Sequence, residues 1–125
     1  MKKIIATSKA PSAIGPYSQA TVYNEIVYCS GQISLNPETM EIVGNTAAEQ
    51  AKVVMDNLEA VLLEAGSGFP KVLKCTIFLA NMGDFASVNE VYGACFKNEP
   101  PARETVAVKT LPKEVLVEIS CIAHL

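Results

Sequence analysis

The stretch from Thr46 to Ala65 carries the clearest rhythm in the chain. Ala47, Ala51, Val54, Leu58, Val61 and Ala65 recur at helical spacing, and Met55 and Leu62 widen the stripe. That spacing lays them along one face of an α-helix. Thr46 followed by Glu49 is a capping-box pattern, and Gly66 supplies a stop. Elsewhere the rhythm is that of strands. Leu73, Cys75, Ile77 and Leu79 alternate with Lys74, Thr76 and Phe78, which reads as a strand. Arg103 to Lys109 and Val115 to Ala123 read the same way, with "TLPKE" as the turn between them. Near the N-terminus "MKKIIAT" is a short apolar strand and Gly15-Pro16 is a turn. Tyr17 to Tyr23 and Ile26 to Ser30 flank Asn24-Glu25 as a β-hairpin. "SGQISLNPETMEIVGN" is loop-like, with turns at Asn36-Pro37 and Gly44-Asn45. Asp84 is placed to cap a second helix running through Phe85, Val88, Tyr92 and Phe96, which Asn98 to Pro101 would end.

The order β-β-β-α-β-α-β-β predicts an α+β two-layer fold, with two helices on one face of a mixed sheet. No repeat, linker or low-complexity segment divides the chain, so residues 1–125 read as one domain. Helices on one face leave the other face of the sheet in need of cover. Composition sharpens this point. Apolar residues make up 50% of the chain and charged residues 18%, against roughly 25% charged in an average domain. Either this face is buried against another copy of the chain, or the surface is polar without being charged.

The net charge of −3, with no extended run of Lys or Arg, argues against a nucleic-acid-binding domain. Cys29, Cys75, Cys95 and Cys121 form no C-x-x-C and each lies in an apolar stretch. They read as free thiols in a reducing compartment. The N-terminus has no long apolar core, so it does not read as a signal peptide, and no window reaches the length of a membrane span. The cytoplasm is the expected address, with no membrane partner.

Few residue types are left for chemistry. His124 is the one histidine, next to the C-terminus, where it reads as a frayed terminal residue. This argues against a Ser-His-Asp triad or a multi-histidine metal site. No glycine-rich phosphate loop occurs, so no nucleotide cofactor is indicated. Arg103 is the only arginine among ten basic residues, and it follows Pro100 and Pro101. It is either a surface cation paired with a nearby acid or a planar fork for a carboxylate, set on a stiff strand start. Glu118 stands in the apolar run "EVLVEISCIA". It is either a charge guarding a sheet edge or a general acid/base with a raised pKa. Whether the two share a sheet face depends on the register across "TLPKE". Tyr17, Ser30 and Asn89 are polar groups in apolar or turn settings, and Thr105, two residues after Arg103, should point the same way.

"AIGPYSQA", "SGQISLNPETMEI", "DFASVNEVYGACF" and "PPARETVAVKTLPKEVLVEISCIA" resemble the Rid, or YjgF-like, family along nearly the whole chain, and its RidA branch most closely. The resemblance implies a chorismate-mutase-like α+β fold and a homotrimer whose sheets form a central barrel, with sites in the clefts between subunits. It implies hydrolysis of 2-imino acids, or their enamine tautomers, to 2-keto acids and ammonia, without metal or cofactor. Such intermediates are released by pyridoxal-phosphate enzymes. Carried over, Arg103 clamps the substrate carboxylate, Glu118 positions water and shuttles protons, and the Thr105 N–H supports the carboxylate. Tyr17 completes the pocket from the adjacent subunit, and Ser30, Gly31 and Asn89 line it. The chain departs from the family at Thr105, where many bacterial members have Cys, and at Glu104, where a small residue is usual. By alternation Glu104 should point away from Arg103. The alternative is a non-enzymatic trimer that senses 2-keto acids through Arg103 alone. A ribonuclease activity, attributed to some members, fits the acidic balance poorly.

Overall fold

The first helix forms where the periodicity places it. The computed structural model describes residues 1–125, and in it α1 spans Ala47–Ala65. The Thr46 hydroxyl accepts from the Glu49 N–H at 3.2 Å, and Glu49 Oε1 accepts from the N–H groups of Asn45 and Thr46 at 2.9 and 3.1 Å. These bonds satisfy donors that the helix start would leave open. Gly66 closes the other end in the left-handed conformation, at φ 88°. The whole expected stripe is buried, and Gln50 and Asn57 are buried with it.

The strands are β1 (Lys3–Ile5), β2 (Ala20–Tyr23), β3 (Ile26–Gln32), β4 (Val72–Leu79), β5 (Ala102–Ala107) and β6 (Val117–His124). A second helix, α2, spans Phe85–Gly93, and one-turn 3₁₀ segments sit at Phe69–Lys71, Met82–Asp84 and Pro112–Glu114. The six strands make one mixed sheet in the order β1-β2-β3-β6-β4-β5. All neighbours are antiparallel except β4 and β5, which are parallel. The β2–β3 hairpin turns on Asn24 and Glu25, at φ 49° and 64°, as a two-residue primed turn requires.

One face of the sheet carries Val27, Cys29, Cys75, Ile77, Leu79, Val117, Ile119, Cys121 and Ala123, and this face packs with α1 and α2 into a single apolar core. The opposite face is less well covered. Tyr28, Leu73 and Val106 are exposed, and Phe78 and Ile122 are only partly buried.

The structure corrects several expectations. "TLPKE" does not join paired strands, because β4 lies between β5 and β6. Asp84 makes no side-chain cap. Its backbone, at φ −89° and ψ 1°, is not extended as a capping residue's is, and the preceding 3₁₀ turn is capped by Asn81 Oδ1, which accepts from the Gly83 N–H at 2.8 Å. Helix α2 stops at Gly93, and Phe96 packs beyond it against Tyr92 and Phe69, with ring centroids 4.9 and 5.4 Å away. Strand β3 runs past Ser30 to Gln32, while β6 starts at Val117, not Val115. His124 is not frayed. It pairs with Ile26 in the sheet, and its carbonyl accepts from Ser67 Oγ at 2.6 Å.

Thr46→Ala removes one half of the capping box. It should lower folding stability by about 1 kcal/mol, read as a shift in the urea midpoint without a change in slope.

Candidate functional site

The expected site residues fall into two groups, and sheet register separates them. Cys75 of β4 pairs with Arg103 on one side and Cys121 on the other. Phe78 pairs with Val106 and Glu118. Residues paired across a sheet share a face, and Cys75 and Phe78, an odd number of positions apart, face opposite ways. Arg103 therefore projects on the helix side and Glu118 on the other. Within one chain they do not meet.

The first group surrounds Glu118. Between Cys29 and Gln32, β3 takes one residue more than β6, whose matching positions are Cys121 and Ile119. This bulge re-aims Ser30 and Gly31. The Ser30 N–H donates to the Gln19 carbonyl at 2.9 Å and its hydroxyl to the Ser18 carbonyl at 2.6 Å. Gly31 lies directly against the Glu118 carboxylate, where a Cβ would collide with Oε2. Tyr17 follows a turn closed by its own N–H to the Gly15 carbonyl at 2.9 Å. Gly15, at φ +120°, takes a backbone shape that other residues avoid. Tyr17, Ser30, Gly31 and Glu118 line one cleft of about 570 Å³, whose walls also include Ile14, Met40 and Lys113. Burial raises the Glu118 pKa above the ordinary carboxylate range.

The second group surrounds Arg103 at the open edge of β5. Arg103 Nη1 donates to Asn89 Oδ1. Its guanidinium carbon lies 5.5 Å from the Phe85 ring centre and 5.1 Å from that of Tyr92. Phe85, Asn89 and Tyr92 stand four and three apart, so one face of α2 seats the guanidinium. Thr105 points the same way, and its buried Oγ1 has no partner. The Val108 N–H donates to the Leu79 carbonyl at 2.9 Å, so strand alternation turns the Thr105 N–H towards the open edge. Glu104 points away, as expected, and pairs with Lys74 at 2.7 Å.

Tyr17 shares a cleft with Ser30, Gly31 and Glu118 of its own chain, while Arg103, Asn89 and Thr105 stand apart. Sequence reasoning missed Gln19 at the cleft and the seat on α2. The i, i+4, i+7 spacing of Phe85, Asn89 and Tyr92 was the available signal for the seat. No three of His, Cys, Asp or Glu gather as metal ligands would, and no helix is long and apolar enough to cross a membrane.

A cleft of this size beside a carboxylate, on a sheet backed by two helices, defines a small-molecule-sized site on an α+β scaffold. Residues 7–125 match the family model described as Endoribonuclease L-PSP, and the chain belongs to that family, the Rid or YjgF-like proteins. The human 2-iminobutanoate/2-iminopropanoate deaminase is 42% identical over 123 residues, covering 98% of this chain and 90% of its own. A Synechocystis relative, 52% identical across 98% of this chain and 96% of its own, is named only as a RutC family protein. Escherichia coli TdcF, solved with bound serine, superposes with a TM-score of 0.93 at 40% identity, covering 98% of each chain.

Gly31→Ala should push the Glu118 carboxylate out of its place. Site-resolved NMR titration should then find the Glu118 pKa closer to the ordinary carboxylate range than in the unmodified chain.

Proposed function

We propose that the chain hydrolyses 2-imino acids, such as 2-iminobutanoate and 2-iminopropanoate, to 2-keto acids and ammonia. The catalytic sites lie between copies of the chain in a homotrimer. The observation that carries this reading is the separation of two prepared halves. An oriented guanidinium sits at an open strand edge, and a carboxylate of raised pKa lines a cleft on the other face. The human relative's name supports the reaction, and the serine bound to TdcF supports a small amino-acid-like ligand. The poorly covered outer sheet face supports the association. A head-to-tail contact that closes into a ring brings the edge of one copy to the cleft of the next.

In that site Arg103 holds the substrate carboxylate with parallel N–H bonds, each charged contact contributing about 1.5–3 kcal/mol. The Thr105 N–H adds a third donor. An iminium carbon is already electrophilic, so orientation and one proton-transfer group suffice. Glu118, ionised, takes a proton from water as its oxygen bonds to that carbon. It returns the proton to the nitrogen of the carbinolamine and then takes the hydroxyl proton as the C–N bond breaks, so that ammonia and the keto acid leave and the last proton passes to solvent. Ser30 has its hydroxyl proton committed to Ser18, so its oxygen is free to accept from the substrate nitrogen. Asn89 fixes Arg103, Gly31 leaves room for the carboxylate, and Tyr17 borders the substrate. The reading takes a small molecule over RNA as substrate, because the net charge is −3 and the lysines form no run beyond Lys2-Lys3. It assigns the chain to removal of reactive products of pyridoxal-phosphate enzymes in the cytoplasm.

Arg103→Ala and Glu118→Gln chains should each be inactive alone. Unfolded together in equal amounts and refolded, they should regain roughly a quarter of the wild-type rate, since one pairing in four unites both intact halves. No recovery in refolded mixed trimers would show that the two residues do not act together across a subunit boundary, and would sink the proposal. Because Glu118 acts in its ionised form, kcat/KM for 2-iminobutanoate should rise with pH through a pKa above the ordinary carboxylate range.

A further inference from the structure

Gln19 is 4% exposed, and its side chain is fully engaged. Oε1 accepts from the Thr7 N–H at 2.6 Å. Nε2 faces the carbonyls of Thr7, Ala10 and Pro11 at 3.0, 3.3 and 2.7 Å. One carboxamide thus ties down a segment that has no regular structure of its own. That segment is a wall of the cleft, through Pro11 and Ser12, and Gln19 lines the same cleft. The Gln19 backbone works on the opposite wall, where its carbonyl accepts from the N–H of Ser30 at the bulge. A buried amide whose hydrogen bonds all run to one irregular segment is costly to disturb, because breaking them leaves polar groups unpaired.

We propose that Gln19 is the positioning residue of the Glu118 cleft. Its side chain holds the Thr7–Pro11 segment as one wall while its carbonyl sets Ser30 in the other. The role rests on the deaminase reading for its catalytic consequence, but not for its geometry. Gln19 touches no reacting atom. It acts by keeping the cleft walls in place around Glu118 and by fixing Ser30 where the substrate nitrogen comes to lie.

The test uses the full chain in two variants. Gln19→Glu keeps the shape and turns the Nε2 donor into an acceptor that faces three carbonyls. Thr7→Pro deletes the N–H that Oε1 accepts and leaves Gln19 in place, so it serves if the first variant does not fold. Site-resolved NMR titration of Glu118 needs no substrate. Steady-state kinetics on 2-iminobutanoate generated in situ give kcat and KM. Glu118 should titrate nearer the ordinary carboxylate range in both variants. The value of kcat/KM should fall roughly ten- to a hundredfold, mostly through kcat. In Gln19→Glu the deficit relative to wild type should shrink as the pH is lowered, since protonation of the new carboxyl restores one donor. Thr7→Pro should show no such recovery. Faster amide exchange in residues 7–10 with an unchanged Glu118 titration and unchanged kinetics overturns the proposal. If the wild-type chain turns over no imine while the Glu118 titration still moves in the variants, the deaminase reading fails and the positioning role stands.

Discussion

Strand β4 has one neighbour of each sense, and the placement of both charged residues follows from it. A parallel neighbour can be reached only by a crossover, so the chain must pass over the sheet as α2 before it lays down β5. That passage brings Phe85, Asn89 and Tyr92 over the edge strand, where Arg103 meets them. The antiparallel neighbour β6 sends Glu118 out on the face that no helix covers. A β5–β6 hairpin would have left the guanidinium without its aromatic seat.

The same topology leaves a strand with little protection. Five of the six residues of β5 are exposed, including Val106, and one edge of the strand has no partner. Open edges invite pairing with other chains. Here the charges stand on both faces, Arg103 on one and the Glu104–Lys74 pair on the other. The exposed ion pair contributes little to stability. Charges at an open edge limit which surfaces can pair with it. Restriction of this kind suits a strand whose proposed role is to meet one particular surface of a neighbouring chain.

Helix α1 was legible because its period, cap and stop all agree, and each is a local property of the chain. The alternation of β4 and the turn at Asn24-Glu25 were legible for the same reason. The β5–β4–β6 arrangement was not, since "TLPKE" has the composition of a hairpin turn and nothing local reports that another strand intervenes. Asp84 has the chemistry of a cap but not the backbone, which the preceding 3₁₀ turn sets. The types of the site residues could be read one at a time. Their division between two faces could not, because face depends on pairings between distant segments. Gln19 gave no signal, for a glutamine beside a strand looks like any surface amide until its partners from Thr7 to Pro11 are known.

Cys29, Cys121 and Cys75 lie side by side across β3, β6 and β4, beneath the helices. Burial pushes the Cys75 thiol up, and the neighbouring Cys29 together with burial pushes Cys121 up further. A thiol reacts through its thiolate and needs access, so this row is silent while the core is closed. Cys95, two residues past the end of α2, is raised by burial too but is only partly buried. The chain thus carries its own clock. A thiol reagent would mark Cys95 through local motion, and would reach the inner row only as often as the helices lift from the sheet.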